Sequence, residues 1–360
     1  LVFLPGVEAL KNIFAFLFVL SWVLISKKNN NWGGKWIIID SIFFLWILAD
    51  IFVSINAVIT HQLSGSNFRD VIRFVLIAWV LSRIYFPKEK LRELALISVI
   101  ATLITLAYSY YSTGGILKEL HSVGHINHTA IFLAIAYSIS LSLLLFDFHS
   151  LKIYQKIILR ISAIVLFLAT IDTGSRAAFG LIIIITLVDF IYLLIKNRKL
   201  STFFLLFGII SCAGVFFIYN PPHALERILA KNHILQDDVR DRIRNFSYYA
   251  FKTNPLLGIG FGNYGQIKIE DIKAEIIKDK GVFNASKYIP GSHAHNVYYT
   301  YLVSGGLLIF SIFLWFWFYI VWIIFKLRSS KENDWIVLSS ISVLLINLAI
   351  GWVNTTLHHE

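Results

Sequence analysis

The chain is dominated by apolar segments that are long enough to cross a lipid bilayer. A transmembrane helix needs about 20 consecutive, mainly apolar residues. Ten such spans are predicted near residues 10–26, 36–59, 70–86, 93–111, 129–146, 157–171, 177–195, 201–219, 297–325 and 335–354. Charged residues make up only 15% of the 360 residues, whereas a soluble domain carries about a quarter. The sequence therefore predicts an all-α polytopic membrane protein.

The loops between these spans alternate in charge. Lysine and arginine concentrate in the loops at 27–35, 87–93, 147–156, 196–200 and 326–334. The intervening loops carry one such residue each and are rich in Gly, Ser, Thr and His; they are 60–69, 112–128 and 172–176. Because cytoplasmic loops are enriched in Lys and Arg, the second set is predicted to face outward. Topology and contact with anionic membrane lipids account for the net charge of +11, and no nucleic-acid partner is expected.

The loop at 220–296 is predicted to be a functional element on the outer side. It is mixed in charge and too long for a simple connection. The chain accordingly divides into residues 1–219 with spans 1–8, this loop with its amphipathic helices, and residues 297–360 with spans 9–10 and an outer end. Since the chain begins at Leu1 and contains no Met, we expect it not to be a complete reading frame.

The outer turn at 172–179 combines the features of an anion site. Gly174 permits a tight turn, Ser175 can cap the following helix, and Arg176 falls in its first turn. Backbone N–H groups at a helix start, together with a guanidinium group, attract anions. An arginine that reaches lipid headgroups is the alternative.

Residues 240–262 are predicted to form an amphipathic helix followed by a compact turn. An apolar stripe is formed by Ile243, Phe246 and Ala250. Two cations and a hydroxyl follow at helical spacing on another face: Arg240, Arg244 and Ser247. Proline and repeated glycines at 254–262 then end the helix. Phosphate recognition and adsorption to anionic headgroups both fit this pattern.

Histidines stand at the outer ends of two spans. His295 begins the ninth span, where the helix dipole favours a neutral imidazole that can act as a general base. A cap or hydrogen-bonded surface residue is the alternative. Metal binding by His293 and His295 is not expected, because no third ligand has suitable spacing. His125 and His128 precede and begin the fifth span, with ordinary interface roles as the alternative.

Acidic residues within or near the spans are functional candidates, because charges in a bilayer are costly. They are Asp40, Asp50 and Asp189. Pairing between helices is the role we expect for them. Nucleotide-binding and zinc-binding motifs are not found in the sequence, so any activation must arrive with the substrate.

Three of these segments, in this order, resemble the O-antigen ligase and polymerase superfamily of bacterial envelopes. They are the turn at 173–179, the Arg240 helix with residues 254–260, and His295-Asn296 followed after nine residues by Gly306. The resemblance covers roughly residues 125–320. It implies a GT-C-like fold with one large periplasmic loop, and about twelve spans in a full chain.

The resemblance implies a glycosyltransferase that takes a glycan from undecaprenyl pyrophosphate at the periplasmic face of the bacterial inner membrane. As an O-antigen ligase it would pass the glycan to lipid A–core, with inversion at the anomeric carbon and with no metal or other cofactor. Arg176 and Arg240 match the arginines proposed to grip the pyrophosphate, and His295 matches the histidine proposed to activate the acceptor hydroxyl. Supporting roles are expected for Ser175, Asn296, Arg244, His125 and His128. Arg244 stands where relatives often have Trp, which leaves the phosphate partner open.

The acceptor is not determined by the sequence. A polymerase would extend the same glycan, and a protein O-oligosaccharyltransferase would use a protein. From another class, a transporter of a lipid-linked glycan is an alternative, and a structural scaffold is a third. Transporters place binding groups near the bilayer midplane, whereas the cations and histidines here gather at one surface, which favours an enzyme.

Overall fold

The computed structural model describes residues 8–63, 68–115, 119–120, 126–195, 233–328 and 333–352. These residues form eleven α-helices and no strand. The helices are α1 Glu8–Asn29, α2 Ile38–His61, α3 Phe68–Arg83, α4 Lys88–Ser112, α5 Ile126–Phe146, α6 Ile153–Asp172, α7 Arg176–Ile195, α8 His233–Thr253, α9 Ile269–Lys280, α10 Val297–Leu327 and α11 Asp334–Gly351. The predicted all-α fold is confirmed.

Eight of these helices are long and apolar enough to cross a membrane: α1, α2, α4, α5, α6, α7, α10 and α11. The polytopic membrane fold is thus confirmed. The predicted span at 201–219 lies outside the described residues. The span predicted at 70–86 is helix α3, which has only 16 residues and ends at Arg83. Pro87 disfavours helical geometry in Phe86, so the helix could not have reached the predicted end.

The chain divides into two compact units. The first comprises Leu1–Phe16, Phe86–Ala230 and Ile323–Ile350. Its core is built around α5, which contacts α4, α6 and α7. Three serines of α5 are fully buried, namely Ser138, Ser140 and Ser142. Small side chains of this kind let membrane helices approach one another closely, which explains why α5 is the most enclosed span.

The second unit comprises Leu17–Tyr85, Lys231–Trp322 and Gly351–Glu360. An aromatic cluster in its membrane part includes Trp46, Tyr301 and Phe313. A separate core forms where Phe246 of α8 packs with Ile272 and Ile276 of α9. This unit therefore carries α8 and α9, both of which fall within the loop predicted at 220–296.

Asp40 is buried at the start of α2 with three partners. The backbone N–H of Ile37 donates to Oδ2 (2.7 Å), while Trp79 Nε1 (2.7 Å) and Arg83 Nε (2.7 Å) approach Oδ1. The predicted pairing between helices is confirmed for Asp40, since Arg83 belongs to α3. Asp50 and Asp189 are also buried, but neither carboxylate has a hydrogen-bond partner in the part of the chain that the structure describes.

The Asp40→Ala variant is expected to be less stable than the wild type by about 3–5 kcal/mol, because it leaves the charge of Arg83 buried without its partner. Thermal unfolding of the purified protein in detergent measures this difference. Glu93→Ala is the matched control, since Glu93 belongs to an exposed ion pair with Lys90 (2.8 Å) and exposed pairs contribute little. Equal midpoints for the two variants would contradict the prediction.

Candidate functional site

Helix α10 is interrupted at Gly306, where φ is 61° and ψ is −166°. In an unbroken helix, the N–H groups of residues 307 and 308 would donate to the carbonyls of residues 303 and 304. Residues 254–262, here called the glycine loop, supply the missing partners. Four backbone hydrogen bonds join them: Leu307 N–H to Pro255 O (2.8 Å), Leu308 N–H to Leu256 O (3.1 Å), Ile259 N–H to Val303 O (3.0 Å) and Gly260 N–H to Ser304 O (2.8 Å).

Glycine is required on both sides of this junction. A Cβ atom on Gly306 would lie 2.3 Å from the carbonyl oxygen of Leu256, and one on Gly258 would lie 2.5 Å from that of Ser304. Gly258 also has a positive φ of 64°, which side chains disfavour. The predicted compact turn and the distant Gly306 therefore belong to a single structural element.

The outer face of helix α8 presents two of the predicted site residues. Its predicted apolar stripe is confirmed, since Ile243, Phe246 and Ala250 are buried. Arg240 is exposed, and Arg244 is partly exposed and forms an ion pair with Asp241.

The prediction that Ser247 shares the cationic face of α8 is wrong. Its side chain is fully buried. The hydroxyl donates to the carbonyl of Ile243 (2.8 Å) and hydrogen-bonds the hydroxyl of Tyr264 (2.6 Å). Ser247 thus helps to hold α8 against the chain that follows the glycine loop.

Polar contacts with α9 fix the orientation of α8. The Tyr249 hydroxyl donates to Asp279 (2.9 Å), and Lys252 Nζ lies 3.1 Å from the same carboxylate. The hydrogen bond from Tyr249, followed by that from Lys252, lowers the pKa of Asp279. Burial raises the pKa of Tyr249 to about 12. These contacts tie Tyr249 and Lys252 of α8 to Asp279 of α9.

His295 precedes α10 in a left-handed conformation, with φ at 49°. Such a conformation is uncommon for a residue other than glycine and marks local strain. It places His295 Nδ1 3.1 Å from Nε2 of His293, whose Nδ1 lies 2.8 Å from the hydroxyl of Ser292. The two rings, here called the histidine pair, have centroids 4.0 Å apart. The spacing of His293 and His295 in the sequence is the only feature that could have predicted this contact.

Asn296 is the residue that caps α10. Its side-chain oxygen accepts the N–H of Tyr299 (3.1 Å), and its amide nitrogen donates to the carbonyl of Trp352 (2.8 Å). The side chain is almost fully buried. Asn296 therefore anchors the backbone next to His295.

The turn before α7 holds Arg176 as the first residue of that helix. Gly174 takes a positive φ of 71°. The hydroxyl that closes the turn is that of Thr173, which accepts the N–H of Ser175 (3.2 Å) and donates to the carbonyl of Thr170 (2.6 Å). Thr173, which the sequence analysis did not single out, thus stabilises the turn before Arg176, while the supporting role of Ser175 stays a prediction.

The predicted site residues are distributed over both units. Ser175, Arg176 and His128, the last in the first turn of α5, belong to the first unit. The second unit contains Arg240, Arg244, His295 and Asn296. His125 lies outside the described residues. Over the described ranges, neither Arg176 nor Arg240 takes part in an ion pair, and no cluster of three or more His, Cys, Asp or Glu residues could hold a metal ion.

Comparison with known proteins gives one family match. A family model described as O-antigen ligase matches residues 161–314. That segment includes Arg176, helix α8, the glycine loop, the histidine pair and Gly306. The resemblance drawn from the sequence is confirmed by this match. Among curated proteins, no match to the chain is found.

Proposed function

We propose, taking residues 161–314 as an O-antigen ligase domain, that the protein transfers a glycan from undecaprenyl pyrophosphate to a hydroxyl group of lipid A–core. The family implies a glycosyltransferase-like activity on lipid-linked glycans. The proposal adds the donor, the acceptor and a site on the periplasmic side of the bacterial inner membrane. The observation that carries it is the histidine pair, because His295 is held in a strained conformation by a second imidazole.

In the proposed reaction His295 acts as the general base. With His293 on its Nδ1 atom, the Nε2 atom is the nitrogen that takes the proton of the acceptor hydroxyl. His293 accepts a hydrogen bond from the imidazolium that forms, and Ser292 accepts one in turn from His293. An orienting partner of this kind is the general companion of a catalytic histidine.

The acceptor oxygen attacks the anomeric carbon from the side opposite the pyrophosphate. A new glycosidic C–O bond forms while the C–O bond to the pyrophosphate breaks, and the leaving oxygen keeps the electron pair. The configuration at the anomeric carbon is therefore inverted. Arg240 is proposed to stabilise the charge on the leaving group, because fixed cations favour a transition state in which negative charge grows. Arg176 is proposed for the same role on the ground of the family resemblance.

The side of the membrane is proposed from loop charge. The Lys- and Arg-rich loops face the cytoplasm by the positive-inside rule, and the candidate residues lie at the opposite ends of the predicted spans. A periplasmic site has no access to cytoplasmic nucleotides. The energy for transfer then comes from the pyrophosphate bond of the donor itself.

The Arg240→Ala variant is expected to lower the rate of transfer by about 10²–10³-fold, because a positioned donor to the leaving group is lost. Arg176→Ala is expected to have an effect of the same size. Arg240→Lys should restore only part of the rate, since lysine lacks the bidentate geometry. Lys278→Ala is the control, since it removes an exposed charge from α9. Full activity in either arginine variant would remove that residue from the proposed site.

The test of the function is a transfer assay with the purified chain in detergent, in the presence of a chelator. Undecaprenyl pyrophosphate-linked glycan is the donor and lipid A–core is the acceptor. Glycosylated lipid A–core would support the ligase. Longer glycans on the carrier would indicate a polymerase instead of a ligase. The absence of product on both lipid A–core and the carrier would contradict glycan transfer to either acceptor.

A further inference from the structure

A polar cleft of about 460 Å³ opens on the outer side of helix α8. Five side chains line it: Asp241, Arg244, Asn245, Tyr248 and Tyr299. The first four come from the exposed face of α8, and Tyr299 comes from the first turn of α10. We call this feature the α8 cleft. Its volume falls within the range of about 300–1,000 Å³ that small-molecule sites occupy.

The side chains of the α8 cleft combine hydrogen-bond donors and acceptors. A carboxylate only accepts, a guanidinium only donates, and an amide or a phenol does both. Each hydroxyl of a sugar ring is itself a donor and an acceptor, so a mixed set of this kind matches it. The rings of Tyr248 and Tyr299 add apolar faces with a polar edge, which suit the C–H face of a pyranose.

The same cleft is poorly suited to a phosphate group. Asp241 forms an ion pair with Arg244, so the charge of Arg244 is already balanced and an anion would meet a carboxylate. Arg240, by contrast, forms no ion pair over the described ranges. Arg240 and Arg244 therefore differ in the ligands they favour.

The walls of the α8 cleft are fixed to the candidate catalytic segment. The N–H of Tyr299 is bound by Asn296, the neighbour of His295. On the other wall, Lys252 Nζ lies 4.9 Å from the ring centroid of Tyr248 and 3.1 Å from Asp279. Asn296 thus binds the backbone at Tyr299, and Lys252 contacts the ring of Tyr248.

We infer that the α8 cleft binds a sugar unit of the glycan substrate, while Arg240 binds phosphate. The sugar belongs to the donor glycan or to the acceptor oligosaccharide, which share the chemistry that the cleft recognises. This inference rests on the proposed function. It moves Arg244 from the predicted pyrophosphate site to the recognition of sugar hydroxyls.

The test uses equilibrium binding by the full chain in detergent. Two probes are titrated separately: the glycan released by mild acid from its lipid carrier, and inorganic pyrophosphate. Asn245→Ala and Tyr248→Ala should each weaken glycan binding by about tenfold, through the loss of a hydrogen bond or a stacking partner, and leave pyrophosphate binding unchanged. Arg240→Ala should do the reverse.

A matched pair of substitutions controls for the loss of a surface charge. Asp241→Asn and Glu270→Gln both turn a carboxylate on an exposed helix position into an amide, but only the first lines the cleft. Only Asp241→Asn should weaken glycan binding. Retained pyrophosphate binding in each cleft variant shows that the protein is folded.

Several results would overturn the inference. The first is binding of both the released glycan and the delipidated core oligosaccharide that survives Asn245→Ala and Tyr248→Ala. The second is the absence of binding of either oligosaccharide by the wild type, and the third is pyrophosphate binding lost together with oligosaccharide binding in Asp241→Asn. Repeating the titration with delipidated core oligosaccharide distinguishes donor glycan from acceptor oligosaccharide. The cleft variants should lose binding of whichever of the two occupies the cleft. Glycan binding at the cleft without product in the transfer assay would refute the proposed reaction and leave the cleft assignment standing.

Discussion

Replacing His295 with alanine is expected to lower the kcat of glycan transfer by about 10²–10⁴-fold, the usual contribution of a general base. The side chain is exposed, so its removal leaves no cavity in the core. The variant should therefore reach the membrane in normal amounts and unfold at the same temperature as the wild type. The transfer assay with purified protein measures the loss.

Two further histidine variants separate catalysis from general effects. His293→Ala should lower kcat by a smaller factor than His295→Ala and leave KM unchanged, because His293 positions the base and does not contact the substrate. His149→Ala, at an exposed position in the first unit, should have full activity. A His295→Ala enzyme within about threefold of the wild type would contradict a general-base role.

Replacing Gly306 with alanine is expected to destabilise the protein by about 4 kcal/mol or more. The backbone angles of Gly306 (φ 61°, ψ −166°) lie in a region that is essentially restricted to glycine, at a cost of about 1–3 kcal/mol for other residues. The new Cβ atom would also lie 2.3 Å from the carbonyl oxygen of Leu256, so the glycine loop must move and its backbone hydrogen bonds weaken, each worth about 0.5–1.5 kcal/mol.

The yield of monodisperse protein in detergent and its thermal midpoint measure this effect. Gly258→Ala should behave in the same way, since its Cβ atom would meet the other side of the junction. Gly281→Ala is the control, because Gly281 also has a positive φ (71°) but open space around its Cβ position. If Gly306→Ala and Gly281→Ala were equally stable, the close packing of loop and helix would not be what requires glycine there.

Much of the fold follows from local sequence patterns. The spans could be predicted because burial in lipid demands uninterrupted apolar segments, and the buried side of α8 because its apolar residues recur with the helical period. Ser247 was misplaced because it lies at the border of that stripe. Its partner Tyr264 is 17 residues away, and no periodicity reports such a contact.

The candidate site was accessible from the sequence only in part. His295 and Arg240 were identified by motif, and both lie on exposed surfaces of the second unit. The contact between His293 and His295 depends on a left-handed φ at His295, which the sequence does not specify, because histidine adopts this conformation more often than most residues but still in a minority of cases. The α8 cleft depends on Tyr299, which is distant in sequence from the α8 residues that it faces. Its assembly requires α8 and the first turn of α10 to come together.

The junction between the glycine loop and α10 has a consequence for sequence divergence. All four of its hydrogen bonds run from main chain to main chain, so no side-chain functional group takes part in them. Leu256, whose side chain is exposed, can therefore vary widely while the backbone geometry next to the candidate catalytic segment stays the same, whereas Ile259 is also constrained by burial in the core. Related chains should therefore share glycine at the positions of Gly258 and Gly306, more than any side-chain functional group at this junction.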